Sequence, residues 1–225
     1  MKILGVDTST KFLILFAYDN GRIAEYNLEL GRQHSSLLAP AIKRVIEASG
    51  WKPREINYFA CGLGPGSFTG LRIGVAAIKG LAFGLNKPVL GVSTLDILAL
   101  NADNDGIIIP AVDAKRNLLY CAVYKKHNRE VKKISPYMLL SAQEFIKKAP
   151  KKSVILGDAL AVYKEEFLRG IRGAGFLDKD YWFPRGRNII YWALKQIEKK
   201  KINNSFKIKP IYLYPKECQI RAKNE

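Results

Sequence analysis

Three segments of this chain are candidates for contact with phosphate groups, and the most informative one is rich in glycine. Residues 64–74 read Gly-Pro-Gly-Ser-Phe-Thr-Gly-Leu-Arg-Ile-Gly, directly after an apolar segment and before a helical pattern. Clustered glycines indicate backbone conformations or close approaches that a Cβ would prevent. The loop could bind an anion at the N-terminus of the following helix, or it could be a tight strand-to-helix turn. Its candidate anion-binding residues are Gly64, Gly66 and Ser67.

The other two segments each begin with an aspartate that ends an apolar strand. They are residues 7–10, Asp-Thr-Ser-Thr, and residues 113–117, Asp-Ala-Lys-Arg-Asn. Turns that hold phosphates and magnesium usually contain glycine, so that backbone N–H groups can close on the anion. Neither turn has one, and no Walker sequence is present. We therefore expect the aspartates to cap their turns, with nucleotide contact as the alternative. The candidate nucleotide-contacting residues are Asp7, Thr8, Ser9, Asp113 and Gly157.

A stripe of small residues runs along the helix predicted after the glycine-rich loop, at residues 69–85 with Thr69 as its cap. Gly74, Gly80 and Gly84 lie inside it, and each interior glycine costs about 1 kcal/mol relative to alanine. Such a stripe permits close backbone approach, either to this chain's own sheet or to a helix of another subunit. In the second interpretation the helix predicted at residues 36–49 shares the interface. The candidate interface residues are Leu38, Ala41, Ile42, Val45, Gly70, Arg72, Ile73, Gly74, Ala77, Leu81 and Gly84.

The elements around these segments repeat one plan. Near the start, an apolar strand ends in an aspartate and two further strands follow; after a polar break at residues 101–106 the same order returns. We read this as a duplicated unit and predict an α/β, actin-like (ribonuclease H-like) duplicated fold, with two mixed-sheet subdomains and flanking helices. The predicted division is residues 1–100 and residues 101–225, the latter with a basic helical tail. The strands predicted in the second half are residues 107–113, 118–124, 130–137 and 154–156.

The charge of the chain is strongly positive and unevenly distributed. The net charge is +17, with 11 Lys and Arg against 7 Asp and Glu in residues 1–100, and 26 against 13 in residues 101–225. Such a surface favours a nucleic acid or an acidic protein as partner, although an AT-rich genome would produce the same excess of lysine. No apolar run reaches the roughly 18 residues of a membrane helix. The three cysteines are far apart, as in a reduced cytoplasmic protein.

Five blocks of sequence resemble the bacterial TsaB (YeaZ) family. They occur in the family's order from end to end, and the match is strongest in residues 1–100; the glycine-rich run is the most specific of them. The blocks are residues 3–10 (Ile-Leu-Gly-Val-Asp-Thr-Ser-Thr), 34–40 (His-Ser-Ser-Leu-Leu-Ala-Pro), 64–74, 113–117 and 210–214 (Pro-Ile-Tyr-Leu-Tyr).

The resemblance implies an actin-like fold and a partner subunit in the synthesis of threonylcarbamoyladenosine beside the tRNA anticodon. Members of the family pair with a larger catalytic paralogue, TsaD, through the two helices described above, and the pair recruits a small ATPase, TsaE. The resemblance further implies tRNA as the substrate of the complex, a homodimer when the paralogue is missing, and ATP or ADP at the complex interface as the candidate cofactor. We expect no catalytic residue, no metal and no membrane in this chain.

The catalytic paralogue carries a His-x-x-x-His metal motif on a helix, and this chain does not reproduce it. Alignment on Pro88 puts Thr94 and Leu98 at the two histidine positions. The alternative function is an independent actin-like ATP-dependent phosphotransferase or a glycoprotease-like enzyme. The former should show glycine-containing phosphate turns and the latter clustered histidines, whereas the chain has only His34 and His127.

Overall fold

The fold is known from a computed structural model that describes residues 1–29, 34–128, 130–202 and 207–215. The last residue of the strand predicted at 22–30, the cysteine at position 218 and the end of the predicted irregular tail lie outside these residues. Two mixed sheets with helices on their faces make up the described chain.

The first sheet has the strand order β3-β2-β1-β4-β5. Its first three strands are antiparallel to their neighbours, while β1, β4 and β5 are parallel. Helices cover both faces of this sheet, so β1 is apolar between its charged first and last residues: Leu4 and Val6 pack into one cluster and Ile3 into another. The strands are β1 (Lys2–Asp7), β2 (Phe12–Asp19), β3 (Arg22–Glu29), β4 (Tyr58–Gly62) and β5 (Val89–Val92).

The second sheet repeats this order in its main path, β10-β7-β6-β11-β12, again antiparallel in its first part and parallel in its last. The repetition confirms the predicted duplicated α/β fold of the actin-like type. A hairpin of β8 and β9 extends the sheet from the beginning of β6. The strands are β6 (Gly106–Lys115), β7 (Leu118–Cys121), β8 (Tyr124–His127), β9 (Glu130–Lys133), β10 (Met138–Ser141), β11 (Val154–Leu156) and β12 (Gly175–Phe176).

Two strands predicted in the second half were wrong in extent. The strand predicted at 118–124 is divided into β7 and the start of β8, and the one predicted at 130–137 covers β9 and stops before β10. The ten-residue β6 pairs with β7 along its end and with β8 along its beginning. The division between β7 and β8 falls at Ala122 and Val123, which are both buried and apolar. The sequence therefore has no polar residue there that would predict the end of a strand.

Helices α1 and α2 pack on one face of the first sheet, and α6 packs on the other. Ile189, Ile190 and Ala193 of α6 contact the cluster around Phe16 and Leu90. Although α6 follows the second half in sequence, it therefore belongs to the first half in space, and the predicted grouping of residues 101–225 does not hold for it. The helices are α1 (His34–Ala48), α2 (Phe68–Gly84), α3 (Thr94–Ala99), α4 (Ala142–Lys148), α5 (Leu160–Gly170) and α6 (Gly186–Glu198).

Candidate functional site

A cleft of about 600 Å³ lies between the two halves of the protein. Its walls come from the turn after β1, the loop before α2, the end of β6 and residues 211–214. The polar and charged residues that line it are Ser9, Thr10, Lys11, Ser67, Asp113, Lys115, Arg116 and Asp158.

The carboxylate of Asp7 holds the turn that follows it. Asp7 is fully buried, and its Oδ1 accepts hydrogen bonds from the main-chain N–H of Ser9 at 2.7 Å and from the Ser9 hydroxyl at 2.6 Å. The hydroxyl of Thr8 donates to the carbonyl oxygen of Gly70 at 2.7 Å. Asp7 therefore caps its turn, as predicted. Of the three candidate residues in this turn, Ser9 lines the cleft and the other two bind within their own chain.

Contact with the turn after β1 shapes the glycine-rich loop. A Cβ on Gly66 would lie 2.2 Å from the carbonyl oxygen of Ser9, and the N–H of Ser67 donates to the same oxygen at 2.7 Å. The backbone of Gly64 has a φ of +86°, and a Cβ there would meet Leu71 at 2.6 Å. These glycines meet the needs of a tight strand-to-helix turn. Gly66 and Ser67 also line the cleft, whereas Gly64 does not.

The cap of α2 is Ser67, not the predicted Thr69. The Ser67 hydroxyl accepts a hydrogen bond from the N–H of Gly70 at 3.2 Å, which satisfies one of the free donors at the start of the helix. Thr69 is exposed. Serine and threonine both cap helices well, so residue type alone does not favour Ser67 over Thr69.

Asp113 and Asp158 meet on the second-half side of the cleft. The main-chain N–H of Asp113 donates to Oδ1 of Asp158 at 2.9 Å. Oδ1 of Asp113 accepts the main-chain N–H of Lys115 at 2.8 Å, and its Oδ2 pairs with the Lys115 ammonium group. Asp113 therefore caps its turn as well. Burial, reinforced by the charge of Asp113, raises the pKa of Asp158 although that N–H bond opposes the shift.

Gly157, next to Asp158 in the sequence, allows a close backbone contact. Its φ is +115°, and a Cβ at this position would lie 2.2 Å from the carbonyl oxygen of Ala111. Glycine therefore lets the chain after β11 approach the backbone of β6. Gly157 does not line the cleft.

The cleft residues do not fit a magnesium nucleotide held by this chain alone. Asp7 is outside the cleft wall and bound to its own turn, and Asp113 is engaged by Lys115. Among the described residues, no group of three or more His, Cys, Asp or Glu side chains could hold a metal ion. We derive no step of nucleotide chemistry from this cleft.

The positions of the paralogue's metal-binding histidines lie in the hydrophobic core. Thr94 and Leu98 are both completely buried, and the hydroxyl of Thr94 lies 3.5 Å from Oδ2 of Asp7. Between them, Asp96 accepts hydrogen bonds from the hydroxyl groups of Tyr124, at 2.7 Å, and Tyr137, at 2.9 Å. Helix α3 is thus held by packing and by a carboxylate that accepts two tyrosine hydroxyls.

The glycines of α2 divide into two groups that the sequence did not distinguish. A Cβ on Gly70 would lie 2.1 Å from the carbonyl oxygen of Thr8, and one on Gly74 would lie 2.2 Å from the Thr8 hydroxyl oxygen. These two glycines serve packing inside the chain. A Cβ on Gly80 or on Gly84 would meet nothing within 4 Å. Only the second group is open to another molecule.

The predicted interface residues of α1 face inward. Leu38, Ala41, Ile42 and Val45 are all buried and belong to the same core cluster as Val75, Ile78 and Ala82 of α2. This corrects the predicted partner surface, because these side chains already fill the space between α1, α2 and the first sheet. An amphipathic pattern shows which residues share a face but not whether the chain itself covers that face.

The side of α2 that points away from the sheet carries the remaining candidates. Ile73, Ala77 and Leu81 are half-buried at its margins. Ala76, Gly80 and Gly84 are exposed, and Phe83 is 65% exposed. We call this surface the outer face of α2; its residues are Ile73, Ala76, Ala77, Gly80, Leu81, Phe83 and Gly84.

A segment near the C-terminus connects the two halves, and it engages the candidate Arg72. Nε of Arg72 donates to the hydroxyl of Tyr212 at 3.2 Å, and its guanidinium carbon lies 3.8 Å from the centre of the Phe68 ring. Two residues later, the hydroxyl of Tyr214 donates to the carbonyl oxygen of Ala114 in the second half at 3.0 Å. The sequence pattern predicted no function for this segment, and the block at 210–214 was its only signal.

Comparison with known proteins finds the related TsaD and TsaB (YeaZ) proteins. The family model described as TsaD, tRNA N6-adenosine threonylcarbamoyltransferase, matches residues 28–181. The tRNA threonylcarbamoyladenosine biosynthesis protein TsaB of Bacillus subtilis is 33% identical over 180 residues, which cover 77% of this chain and 79% of that protein. The TsaB of Buchnera aphidicola subsp. Schizaphis graminum is 28% identical over 91% of this chain and 98% of its own length. The solved structure of YeaZ from Pseudomonas aeruginosa superposes with a TM-score of 0.82 at 23% identity, covering 94% of this chain and all of that one.

The fold and the cleft define a duplicated actin-like protein whose strand-end aspartates cap their own turns. The B. subtilis TsaB is more than 30% identical over more than two thirds of both proteins. The chain belongs to the TsaB (YeaZ) family, as its sequence predicted.

Proposed function

We propose that this chain is the non-catalytic partner subunit of a tRNA threonylcarbamoyltransferase. In this role it binds and activates the catalytic paralogue TsaD, which modifies the tRNA adenosine next to the anticodon. The observation that carries the proposal is the burial of Thr94 and Leu98, since the positions of the paralogue's metal ligands here hold core side chains. The relatives' names support the pathway.

The outer face of α2 is the surface that we assign to the catalytic paralogue. Its exposed small residues, Ala76, Gly80 and Gly84, would let another helix approach the backbone closely, and the large side chain of Phe83 lies beside them. Glycines that face open space have no packing reason within this chain, although each lowers helix stability. A second copy of the chain would use the same face when the paralogue is missing.

Two partners and a ligand follow from the family resemblance. The small ATPase TsaE joins the assembled pair, and tRNA is the substrate of the complex, which implies a cytoplasmic protein. In the described part of the chain, every helix is too short or too polar to cross a membrane. ATP or ADP at the interface of the complex stays a prediction.

An independent enzyme is the weaker alternative. A phosphotransferase would require a catalytic carboxylate free to face the cleft, whereas Asp7 is buried and Asp113 pairs with Lys115. The thiols of the described residues are also unsuited to nucleophilic chemistry. Cys61 and Cys121 are buried, and burial raises the pKa of both, to about 12 for Cys121.

Pairing can be tested with a double variant of the outer face, Ala76→Arg with Gly80→Arg. Both positions are exposed, so the monomer should fold normally while the added charge and bulk prevent a second helix from approaching. The matched control is Ala161→Arg with Val162→Arg on the exposed side of α5. Light scattering of each variant mixed with the catalytic paralogue should show loss of the heterodimer only for the α2 variant. An α2 variant that still pairs at wild-type affinity would refute the assignment of this face.

A further inference from the structure

Six basic side chains surround the place where the ends of α4 and α5 meet in the second half. Two lysines lie in the last turn of α4 and an arginine in the last turn of α5. The other three follow directly in the loops that leave these helices. All six side chains are exposed: Lys147, Lys148, Lys151, Lys152, Arg169 and Arg172. We call this set the α4–α5 basic cluster.

Backbone contacts bring these residues together. A Cβ on Gly170, at the end of α5, would lie 2.5 Å from the side chain of Ile146 in α4, so the two helices touch at their ends. The main-chain N–H of Lys152 donates to the carbonyl oxygen of Arg172 at 3.1 Å. A Cβ on Gly173 would lie 3.3 Å from Cγ of Lys152. The cluster is therefore one surface and not a set of cations separated along the chain.

No carboxylate among the described residues forms an ion pair with this surface, although Glu144 lies near enough to interact electrostatically with Lys147 and Lys148. Among the described residues, the ion pairs found do not include any member of the cluster. Glu144 lies on α4 but binds the main chain of Ser141, and Asp105, at the same edge of the sheet, pairs with His127. The two helix C-termini favour nearby cations, which accounts for charges in the last turns but not for Lys151, Lys152 and Arg172 in the loops.

The chemistry of the cluster fits the phosphate backbone of an RNA better than an acidic protein. Lysines dominate it, and a lysine ammonium group binds phosphates as a point charge without requiring a fixed geometry. Protein interfaces usually have an apolar centre, yet among the described residues near the cluster Leu168 is the one large apolar side chain that is exposed. The surface also lies on the second half, away from the outer face of α2, so it stays accessible when the catalytic paralogue is bound there.

We propose that the α4–α5 basic cluster binds the sugar-phosphate backbone of the tRNA that the complex modifies. This inference rests on the proposed function for the identity of the RNA. The interaction is independent of base sequence, because exposed lysines at helix ends meet phosphates and not base edges. It adds affinity and orientation while the chemistry takes place on the other subunit.

The test is a salt titration of tRNA binding by the complex of this chain with the catalytic paralogue. The variant changes Lys148→Gln, Lys151→Gln and Lys152→Gln. The matched control removes the same charge from the end of α6, on the first half, by changing Lys199→Gln, Lys200→Gln and Lys201→Gln. An unmodified tRNA transcript is the probe, and the dissociation constant is measured over a range of salt concentrations for each protein.

We expect the cluster variant to bind the transcript at least about tenfold more weakly at about 0.1 M salt. The slope of the logarithm of affinity against the logarithm of salt concentration should become shallower by roughly one unit for each phosphate that the protein no longer neutralises. The control should remain within about twofold of wild type. Equal losses of affinity in both variants would overturn the proposal, because they would reflect net charge alone. Unchanged binding by the cluster variant would overturn it as well.

Two further measurements distinguish RNA binding by this surface from a role in pairing with the paralogue, and from failure of the proposed function. If the cluster variant no longer assembles with the paralogue in the absence of RNA, the surface binds protein and the proposal is wrong. The titration is also run on this chain alone. If the wild-type chain fails to pair with the paralogue, the proposed function is refuted, while a selective loss of RNA binding in the lone cluster variant would still support the surface.

Discussion

Gly74 of α2 lies directly against Thr8 in the turn after β1. A Cβ at position 74 would approach the Thr8 hydroxyl oxygen to 2.2 Å, while that hydroxyl donates to the carbonyl oxygen of Gly70 at 2.7 Å. The first turns of α2 thus rest on the strand-end turn of the first sheet, and only a residue without a side chain can stand there. Further along the helix, Gly80 faces open space. Gly74 is therefore required by packing inside the chain, whereas no neighbour within the chain requires glycine at position 80.

Replacement of each of these glycines by alanine should change stability in opposite directions. Gly74→Ala should destabilise the protein by about 1–3 kcal/mol, because the buried Thr8 side chain is fixed by its hydrogen bond and cannot move away. Gly80→Ala should stabilise it by about 0.5–1 kcal/mol, since alanine has the higher helix propensity and meets no neighbour. Urea unfolding followed by circular dichroism measures both. A stabilising Gly74→Ala substitution would contradict the packing described for α2.

Removal of the Asp96 carboxylate should destabilise the junction between α3 and the second half. Tyr124 and Tyr137 both donate to it, and burial, with Asp96 nearby, raises the pKa of both hydroxyl groups. Asp96→Ala removes the acceptor of the buried Tyr124 hydroxyl and of the half-buried Tyr137 hydroxyl, which should cost about 2 kcal/mol. Asp96→Asn keeps an acceptor oxygen and should cost less. Thermal unfolding compares the two variants, and equal losses of stability would show that the tyrosine hydrogen bonds contribute little.

The stability of the protein should depend on pH through Asp158. Burial raises its pKa in the folded state, so the unfolded chain releases this proton at a lower pH than the folded one does. The resulting cost to folding is absent below the unfolded pKa, grows as the pH rises toward the folded value, and is complete above it. Asp158→Asn keeps an oxygen for the N–H of Asp113 and should therefore raise the unfolding free energy at pH 7.

The gain from Asp158→Asn should fade as the pH falls to about 4, near the ordinary pKa of an aspartate. Denaturant unfolding of the wild type and the variant at several pH values gives the difference. A gain that is constant with pH would mean that the Asp158 carboxylate is not responsible.

The duplicated fold could be predicted from the sequence because the patterns that indicate it are local. Apolar segments followed by Asp7 and Asp113 recur at the same place in each half, and both aspartates cap their turns as expected. Which surface a helix presents is not local information. The small residues Gly74 and Gly80 look alike in the sequence, although one is covered by Thr8 and the other faces open space.

The packing position of α6 also depends on the assembled fold and not on a local pattern. The apolar residues of α6 predict an amphipathic helix, but the helix returns to the first sheet instead of covering the second. Likewise, the contact between Tyr212 and Arg72 joins residues 140 positions apart. Contacts between such distant segments depend on the assembled fold, so no pattern within either segment could have revealed them.

The central claim is that this chain acts by pairing through the outer face of α2 and supplies no reactive group. Its most direct test measures threonylcarbamoyl transfer to tRNA by the catalytic paralogue with this chain added. We expect the wild-type chain to support transfer, the chain alone to transfer nothing, and the folded variant with Ala76→Arg and Gly80→Arg to reduce transfer by at least about tenfold. Full activity with that variant, or transfer by the lone chain, would contradict it.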